Sequence, residues 1–511
     1  MKEEVRTKYA NLPHTTAWAW LLPALLLVLV VRLHGLSHAS LADFDSVRNW
    51  QIVRQLATGN VHDIFHHRSP GFYLFFLPLA LLKLDFHWYL YSNAVVSVVA
   101  LGALMRFIGQ EMALRPFETA LLALLVGTST FLTFSGRDFS LSSLSLLLFV
   151  TLLRTYYRRW QQPSRRNLLR AAACVALGLT VDYKFLLTLP VLGMLELLRG
   201  DGLLRQRGIA LRVLAILATP YLVLGLVGWL GGLPWWRWPA TYYDIVRISR
   251  PNAAGRTGNL QLNLLYYPRF LLDFESPLSW LGMLLFPWLC WREIRAGRRL
   301  TLLPYLAVWA YCWFGGMSLL LKAPRGLLFA YGLFVVMGFL VLRHLTRPYP
   351  AALVLVALLG VGYNLRQVQG QIYAYTPTHY DAVAAWLHAH NIHRVVSTVG
   401  LSLAPFVAPD SVKNINDEHL LPALRRRGYR YVLFDGYWRV TNIRHFDSLR
   451  RQRPIAAWPE PMLTSPLQFL EHSEFTALSY TETLRQQRAA QRDTAQLRLF
   501  RINHELAPPQ E

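Results

Sequence analysis

Cysteine is close to absent from this chain. Its three copies, Cys174, Cys290 and Cys312, all fall in apolar runs without metal-type spacing, which excludes a disulfide framework and a cysteine-bound zinc and leaves them as small buried hydrophobes. Acidic residues are scarce as well: 29 Asp and Glu stand against 52 Lys and Arg, and charged residues make up only 16% of the 511. No glycine-rich phosphate fingerprint follows a strand, so nothing signals a nucleotide site. What fills the chain is hydrophobic, at 54% with plentiful aromatics, the composition of a membrane protein carrying one appended soluble part.

A net charge of +23 would suggest nucleic acid if it were gathered on one polar domain, but its placement argues otherwise. Arg154, Arg158, Arg159, Arg165, Arg166 and Arg170 lie in one short connection between apolar runs, and Arg199, Arg205, Arg207 and Arg212 in a second. Arg292, Arg295, Arg298 and Arg299 form a third cluster, and Arg343 and Arg347 mark a fourth. By the positive-inside rule these connections face the cytoplasm, as do Lys2, Arg6 and Lys8 ahead of the first apolar segment. That segment, Ala17 to Val31, has no small-residue cleavage site and is followed by many more spans, so it reads as retained rather than as a signal peptide.

Asking each span for ~20 apolar residues gives about eleven transmembrane helices, one of them near 117–135, in a bacterial inner membrane with the N-terminus cytoplasmic and the C-terminus outside. Phe72 to Leu82 is only about half the needed length and reads as an interfacial or re-entrant helix on the outer face. The expected architecture is a polytopic α-helical membrane domain over residues 1–370, with an extracytoplasmic catalytic loop at 32–87, followed by a small soluble α/β domain at 375–511. In that domain His379 to His390 and Asp417 to Arg427 read as helices, and the runs beginning at Arg394, Tyr429 and Gln496 as strands.

The outer side then collects the chemistry. Asp43 and Asp45 follow the first span directly. Gly136-Arg-Asp138, Asp182-Tyr-Lys184 and Lys322-Ala-Pro-Arg325 occupy three further outer connections, and Trp235, Trp236, Trp238, Tyr242 and Tyr243 mark a membrane-interface belt. Nucleotide sugars and ATP are made on the cytoplasmic side, so transfer chemistry out here calls for a lipid-carried donor.

Asp45-Ser-Val-Arg48, followed by Ile52, Arg54 and Leu56-Ala-Thr-Gly59, resembles the Asp-Glu-x-Arg-Tyr segment that opens the first outer loop of C-type (GT-C) glycosyltransferases. The nearest groups are the dolichyl-phosphate-mannose protein mannosyltransferases and the bacterial aminoarabinose transferases that modify lipid A. His67-Arg-Ser-Pro-Gly-Phe-Tyr73 is similar to their Lys/His-Pro-Pro-Leu-Tyr-Tyr signature, Gly178-Leu-Thr-Val-Asp-Tyr-Lys184 to their Gly-Leu-Ala-x-x-x-Lys turn, and Lys322-Ala-Pro-Arg325 to the Lys-x-x-Arg-Tyr that opens a late span. The resemblance covers residues 15–365. Two positions depart from it: Ser46 stands where the second acid of the pair is expected, and the acid of the second outer loop falls near Ser142, with Asp138 displaced next to Arg137.

The resemblance implies a glycosyltransferase that uses a polyprenyl-phosphate sugar donor and a lipid, glycan or protein acceptor, with membrane lipids as its other partners, no nucleic acid and no required cofactor. Such transfer needs a carboxylate to take the acceptor's proton and positive charge for the departing phosphate, and it inverts the anomeric centre when base and leaving group act on opposite faces. By resemblance Asp45 is the base, with Asp43 and Asp138 orienting it or the acceptor. Arg68, Lys184, Lys322 and Arg325 are the phosphate ligands, and Arg48 and Tyr73 complete the donor site.

Each assignment has a plainer rival. Asp45 precedes an amphipathic stretch and suits an N-cap, Asp138 suits a pair with Arg137, and the basic residues suit snorkelling anchors. His62, His66 and His67 with Asp63 are the one group with metal-ligand chemistry, but adjacent loop histidines lack partners to orient their rings, and no metal is assigned. A lipid or polysaccharide transporter and a noncatalytic partner subunit are the readings from other classes.

Overall fold

The computed structural model describes residues 14–41, 44–65, 69–248, 262–320, 322–408, 411–415, 417–435, 447–473, 478–492 and 496–502. They divide into two compact units, one helical, drawn from 14–34, 52–248 and 262–368, and one mixed, drawn from 35–51 and 369–502.

The helical unit begins with α1 (His14–Leu33), continues through the end of α2 (Phe44–Ala57), and then runs α3 (Pro70–Leu81), α4 (Phe86–Glu111), α5 (Pro116–Gly127), α6 (Thr130–Arg137), α7 (Ser142–Gln161), α8 (Arg165–Leu179) and α9 (Thr188–Arg199). After these come α10 (Arg207–Leu230), α11 (Arg237–Ile248), α12 (Tyr266–Phe274), α13 (Pro277–Arg295), α14 (Leu302–Leu319), α15 (Leu328–Leu345) and α16 (Pro350–Gln371). Their starts are encoded locally. Asp85 accepts from the His87 amide at 2.7 Å ahead of α4, Ser164 accepts from the Asn167 amide at 3.3 Å ahead of α8, and Pro70, Pro116 and Pro277 open helices where a missing N–H costs nothing.

Six helices among the described residues are long and apolar enough to cross a membrane, seven when one bent pair is counted as a span. The difference from about eleven has a physical source in helix length, since ~20 residues are needed. α8 and α9 have only 15 and 12 residues, and α7 carries Arg154, Arg158 and Arg159 in its second half. The bent pair is the stretch read as one span near 117–135. There α5 and α6 meet at 67°, because Ser129 leaves the helical conformation between them, with φ −48° and ψ 132°. The short α3 buries Phe72, Tyr73, Phe76 and Ala80 and exposes Leu74, Phe75 and Leu81.

The arginine clusters do more than mark a side. Arg159 is fully buried: Nη1 donates to Asp201 at 2.6 Å, and Nη2 donates to Asp201 and to Glu196, each at 2.7 Å. This ties the end of α7 to the end of α9, with the Tyr156 hydroxyl donating to Glu196 at 2.7 Å. In the other clusters Arg298 pairs with Glu293 at 2.9 Å and Arg343 with Glu118 at 3.2 Å.

The mixed unit is an α/β domain. Its five-stranded sheet has the order β2-β1-β3-β5-β4, with β1 (Val395–Ser397), β2 (Val412–Asn414), β3 (Tyr431–Asp435), β4 (Ala456–Pro459) and β5 (Gln496–Arg501). β1 pairs parallel with β2 and β3, setting Val395 beside Val412 and Tyr431, while β5 runs antiparallel between β3 and β4. One face buries Val396, Val432 and Phe500 with Leu421 and Leu424 of α18 (Leu421–Arg426); the other buries Val395, Leu433 and Leu497 with Tyr380 and Val383 of α17 (Tyr380–Ala389). The segment after α1 joins this unit through the Thr378 amide, which donates to the His38 carbonyl at 3.2 Å.

The Arg159 guanidinium holds the Asp201 carboxyl well below the usual carboxylate range. A depressed carboxyl contributes stability above its unfolded value of about 3.9 and loses it as pH falls through the folded value. Removing one partner of a buried pair strands the other charge, at a cost of about 3–5 kcal/mol. Arg159→Met should therefore lower the thermal unfolding midpoint in detergent, while Arg165→Met, at an exposed position, leaves it in place. The gap between wild type and Asp201→Asn should narrow below pH ~3.9. Equal midpoints at neutral pH would show that the cluster contributes nothing.

Candidate functional site

Three connections of the helical unit are joined through α6 and the two residues that follow it. Asp138 ends α6 in an extended conformation, and its carbonyl accepts from the Asn93 side-chain amide of α4. Phe139 is fully buried and gathers three rings around itself, with centroids at 5.2 Å to Phe72, 5.0 Å to Phe76 and 5.2 Å to Tyr89. The first two rings belong to α3, so the connection that follows α6 seats this short helix. α3 is pinned to a third as well, because the Gly71 amide donates to the Thr180 carbonyl at 2.6 Å.

Thr180 leads into the Asp182–Lys184 turn. Asp182 is buried; its carboxylate accepts from the Lys184 amide at 2.9 Å and from the Ser145 hydroxyl of α7 at 3.0 Å. The Lys184 ammonium lies 3.9 Å from the same carboxylate and is itself nearly buried. A cation held this loosely by its acid keeps donors to offer an anion.

The Lys322–Arg325 turn is fixed by its carbonyls. Tyr267 donates to Ala323 O at 3.3 Å, Tyr331 to Pro324 O at 3.0 Å, and the Trp313 indole to Gly326 O at 3.0 Å. Phe131 of α6 packs against the Tyr331 ring at 4.7 Å, which couples this turn to the same short helix. Burial pushes the Lys322 ammonium below its ordinary value; an approaching anion opposes that shift.

The structure brings Asp138, Lys184, Lys322 and Arg325 onto connected loops of one unit. Tyr73 is fully buried, edge-on to Phe72 at 5.7 Å, which places it in the packing under α3. Asp45 and Arg48 lie on α2, on the part that belongs to the mixed unit. Asp45 is the second residue of that helix and half-buried, so it sits in the first turn rather than at the N-cap; a carboxylate there still suits the helix dipole. Asp43, Arg68, His66 and His67 lie outside the described residues. Among the described residues no three His, Cys, Asp or Glu side chains come together as a metal site.

Sequence reasoning missed two charged residues of this region. Arg32 is fully buried and Glu275 is 2% exposed. The available signal was slight: each is a charge at the edge of an apolar run, Arg32 just after Val31 and Glu275 two residues after Asp273 and two before Pro277.

No known family model matches the chain, and no curated protein matches it. Solved structures do. ArnT from Cupriavidus metallidurans bound to undecaprenyl phosphate matches with a TM-score of 0.58 at 15% identity, covering 96% of this chain and 100% of that one. The same protein in its apo state matches with a TM-score of 0.60 at 13% identity, covering 97% of this chain and 100% of that one. The fold is therefore GT-C-like over essentially its whole length.

A Cβ at position 71 would stand 2.6 Å from the Thr180 carbonyl oxygen, a clash with backbone that must be relieved by displacing α3. Gly71→Ala should thus destabilise by about 2 kcal/mol, as overpacking does. Gly193→Ala, inside α9 with nothing within 4 Å of the added carbon, should be neutral or slightly stabilising. Thermal unfolding of the two variants side by side checks this, and equal behaviour would show that α3 is not seated on Thr180.

Proposed function

We propose that the chain is an integral membrane glycosyltransferase that moves a sugar from a polyprenyl-phosphate donor to a hydroxyl or amine on the outer face of a bacterial inner membrane. The observation that carries this reading is the end-to-end likeness in fold to ArnT, a protein whose structure holds undecaprenyl phosphate. The linked outer loops that hold an acid and three basic residues support it. The placement of the arginine clusters supports a cytoplasmic N-terminus and an outward mixed unit.

In this mechanism the acceptor oxygen or nitrogen attacks the anomeric carbon, the bond from that carbon to the phosphate oxygen breaks, and the acceptor's proton passes to the Asp45 carboxylate. The departing phosphate keeps the bonding electrons and meets Lys184, Lys322, Arg325 and Arg68, with arginine giving a two-point grip. Asp43 and Asp138 orient the base or the acceptor, Arg48 completes the donor site, and Tyr73 contributes from the packing beneath it. Attack opposite the leaving group inverts the centre.

One observation favours transport instead: the bent pair α5–α6 is the kind of interrupted helix that transporters use at mid-membrane. Among the described residues it has no second counterpart, whereas transporters repeat the device in two halves.

Cells lacking this chain should accumulate a polyprenyl-phosphate sugar detectable by mass spectrometry of lipid extracts, and Asp45→Asn should reproduce that accumulation by cutting turnover ~10²-fold or more. Losing a first-turn charge costs a helix only about 0.3–1 kcal/mol, so a merely structural Asp45 leaves the lipids of that variant normal. Lipids unchanged by deletion itself would end the donor assignment. The lowered Lys322 ammonium supplies an independent check. Undecaprenyl phosphate added to the purified chain should slow acylation of Lys322 by amine reagents, and unaltered labelling would remove Lys322 from the phosphate site.

A further inference from the structure

The break between α5 and α6 leaves two helix ends inside the helical unit, one rich in unpaired carbonyls and one in unpaired amides. Each is met by a buried charge of the sign its dipole calls for. At the α5 end, the fully buried Arg32 of α1 donates to the Ser97 hydroxyl and reaches the Gly127 carbonyl at 3.5 Å. At the α6 start, the Glu275 carboxylate accepts from the Phe131 amide at 2.8 Å and the Thr130 amide at 3.3 Å. Both residues work across long separations, Arg32 reaching 95 residues and Glu275 reaching 145. Glu275 takes two backbone amides and the Ser129 side chain as its partners, with no basic side chain pairing with it among the described residues.

What hangs on α6 makes this more than a cap. Phe131, whose amide Glu275 holds, packs on Tyr331, and Tyr331 holds the Lys322–Arg325 turn through Pro324. At the other end, Arg137 donates to the Arg32 and His34 carbonyls at 2.9 and 2.7 Å, and Asp138 follows. Gly136 lets α6 lie against the first span, because a Cβ there would stand 2.6 Å from Arg32 Nη1 and 2.9 Å from Ser97 Oγ. A change in the direction of α6 at the break therefore moves the acid at one end and the basic turn at the other.

We propose that Glu275, with Arg32 as its counterpart across the break, is a positioning residue that sets the direction of α6 and so places Asp138 for the transfer reaction. This rests on the proposed function insofar as Asp138 takes part in that reaction. Glu275 touches no reacting atom; it acts through the backbone of α6.

The test uses the full chain. Hydrogen exchange in lipid nanodiscs should be ~10-fold faster over residues 130–138 in Glu275→Gln, which offers one acceptor where the carboxylate offered two, and unchanged over α15. In cells, Glu275→Gln should accumulate the polyprenyl-phosphate sugar. The double variant Glu275→Gln/Asp138→Asn should accumulate no more than Asp138→Asn alone, because both changes act through one carboxylate, whereas general destabilisation would add to it. Gly136→Ala, which sets a methyl group against Arg32 and Ser97 at the same seat and leaves Glu275 in place, should give the Glu275→Gln phenotype. Unchanged exchange over 130–138, or additive accumulation in the double variant, overturns the positioning role. Asp138→Asn with normal lipids removes Asp138 from the reaction and with it the proposed consequence, while the exchange result still decides whether Glu275 anchors α6.

Discussion

A backbone group freed inside a membrane domain must find a protein partner, because hydrocarbon offers none. The break between Gly127 and Thr130 is where this constraint bites hardest. Gly127 O is reached by Arg32 and by the Thr133 hydroxyl at 3.3 Å, and the Asn364 side-chain amide of α16 donates to Leu125 O at 3.0 Å. The Thr130 and Phe131 amides take Glu275. Satisfying one interruption thus draws α1, α16 and the turn between α12 and α13 to a single point. The order of packing in the helical unit follows from that demand as much as from apolar burial.

From this point outward, aromatic rings carry the geometry to the loops. Phe131 links the break to the Lys322–Arg325 turn, and Phe139 links the following residues to α3 and so to Thr180 and the Asp182–Lys184 turn. Rings suit the task because they bury large areas with few rotatable bonds. A cluster of Phe139, Phe72, Phe76 and Tyr89 therefore sets the loops firmly, and the loops can carry sparsely paired cations such as Lys184 without collapsing onto them.

The sequence shows the large pattern because hydropathy is local and additive. The GT-C-like fold, the short apolar helix at Pro70–Leu81 and the strands ending near Ser397, Asp435 and Arg501 all leave periodic or compositional traces. β2 (Val-Lys-Asn) and β4 (Ala-Ala-Trp-Pro) do not, because neither has a β-branched run like Val395-Val396 of β1 to mark it. The interruption at Thr128-Ser129-Thr130 leaves only a slight trace: Gly127 stands at its edge as one glycine among many, and the carboxylate that meets the freed amides lies far along the chain. Charge is the hardest to interpret. Arg159 counts as a cytoplasmic marker in sequence, yet it is a buried partner of Glu196 and Asp201. Only tertiary structure says which acid answers which base.

With so few acids available, their partners sort them by role. Glu196, Asp201, Glu293 and Glu118 meet arginines, and such pairs fix one side chain against another. Asp182 meets a lysine, a serine and a backbone amide, which shapes a turn and keeps a cation nearby. Glu275 meets amides of a helix start, and a carboxylate bound in that way fixes a direction rather than a contact, since the two N–H bonds it accepts lie along the axis of α6. A direction is what a site assembled from distant loops needs. The loops need only short tethers once the helix between them points one way, and a buried charge two connections away becomes part of the reason those loops have a fixed place.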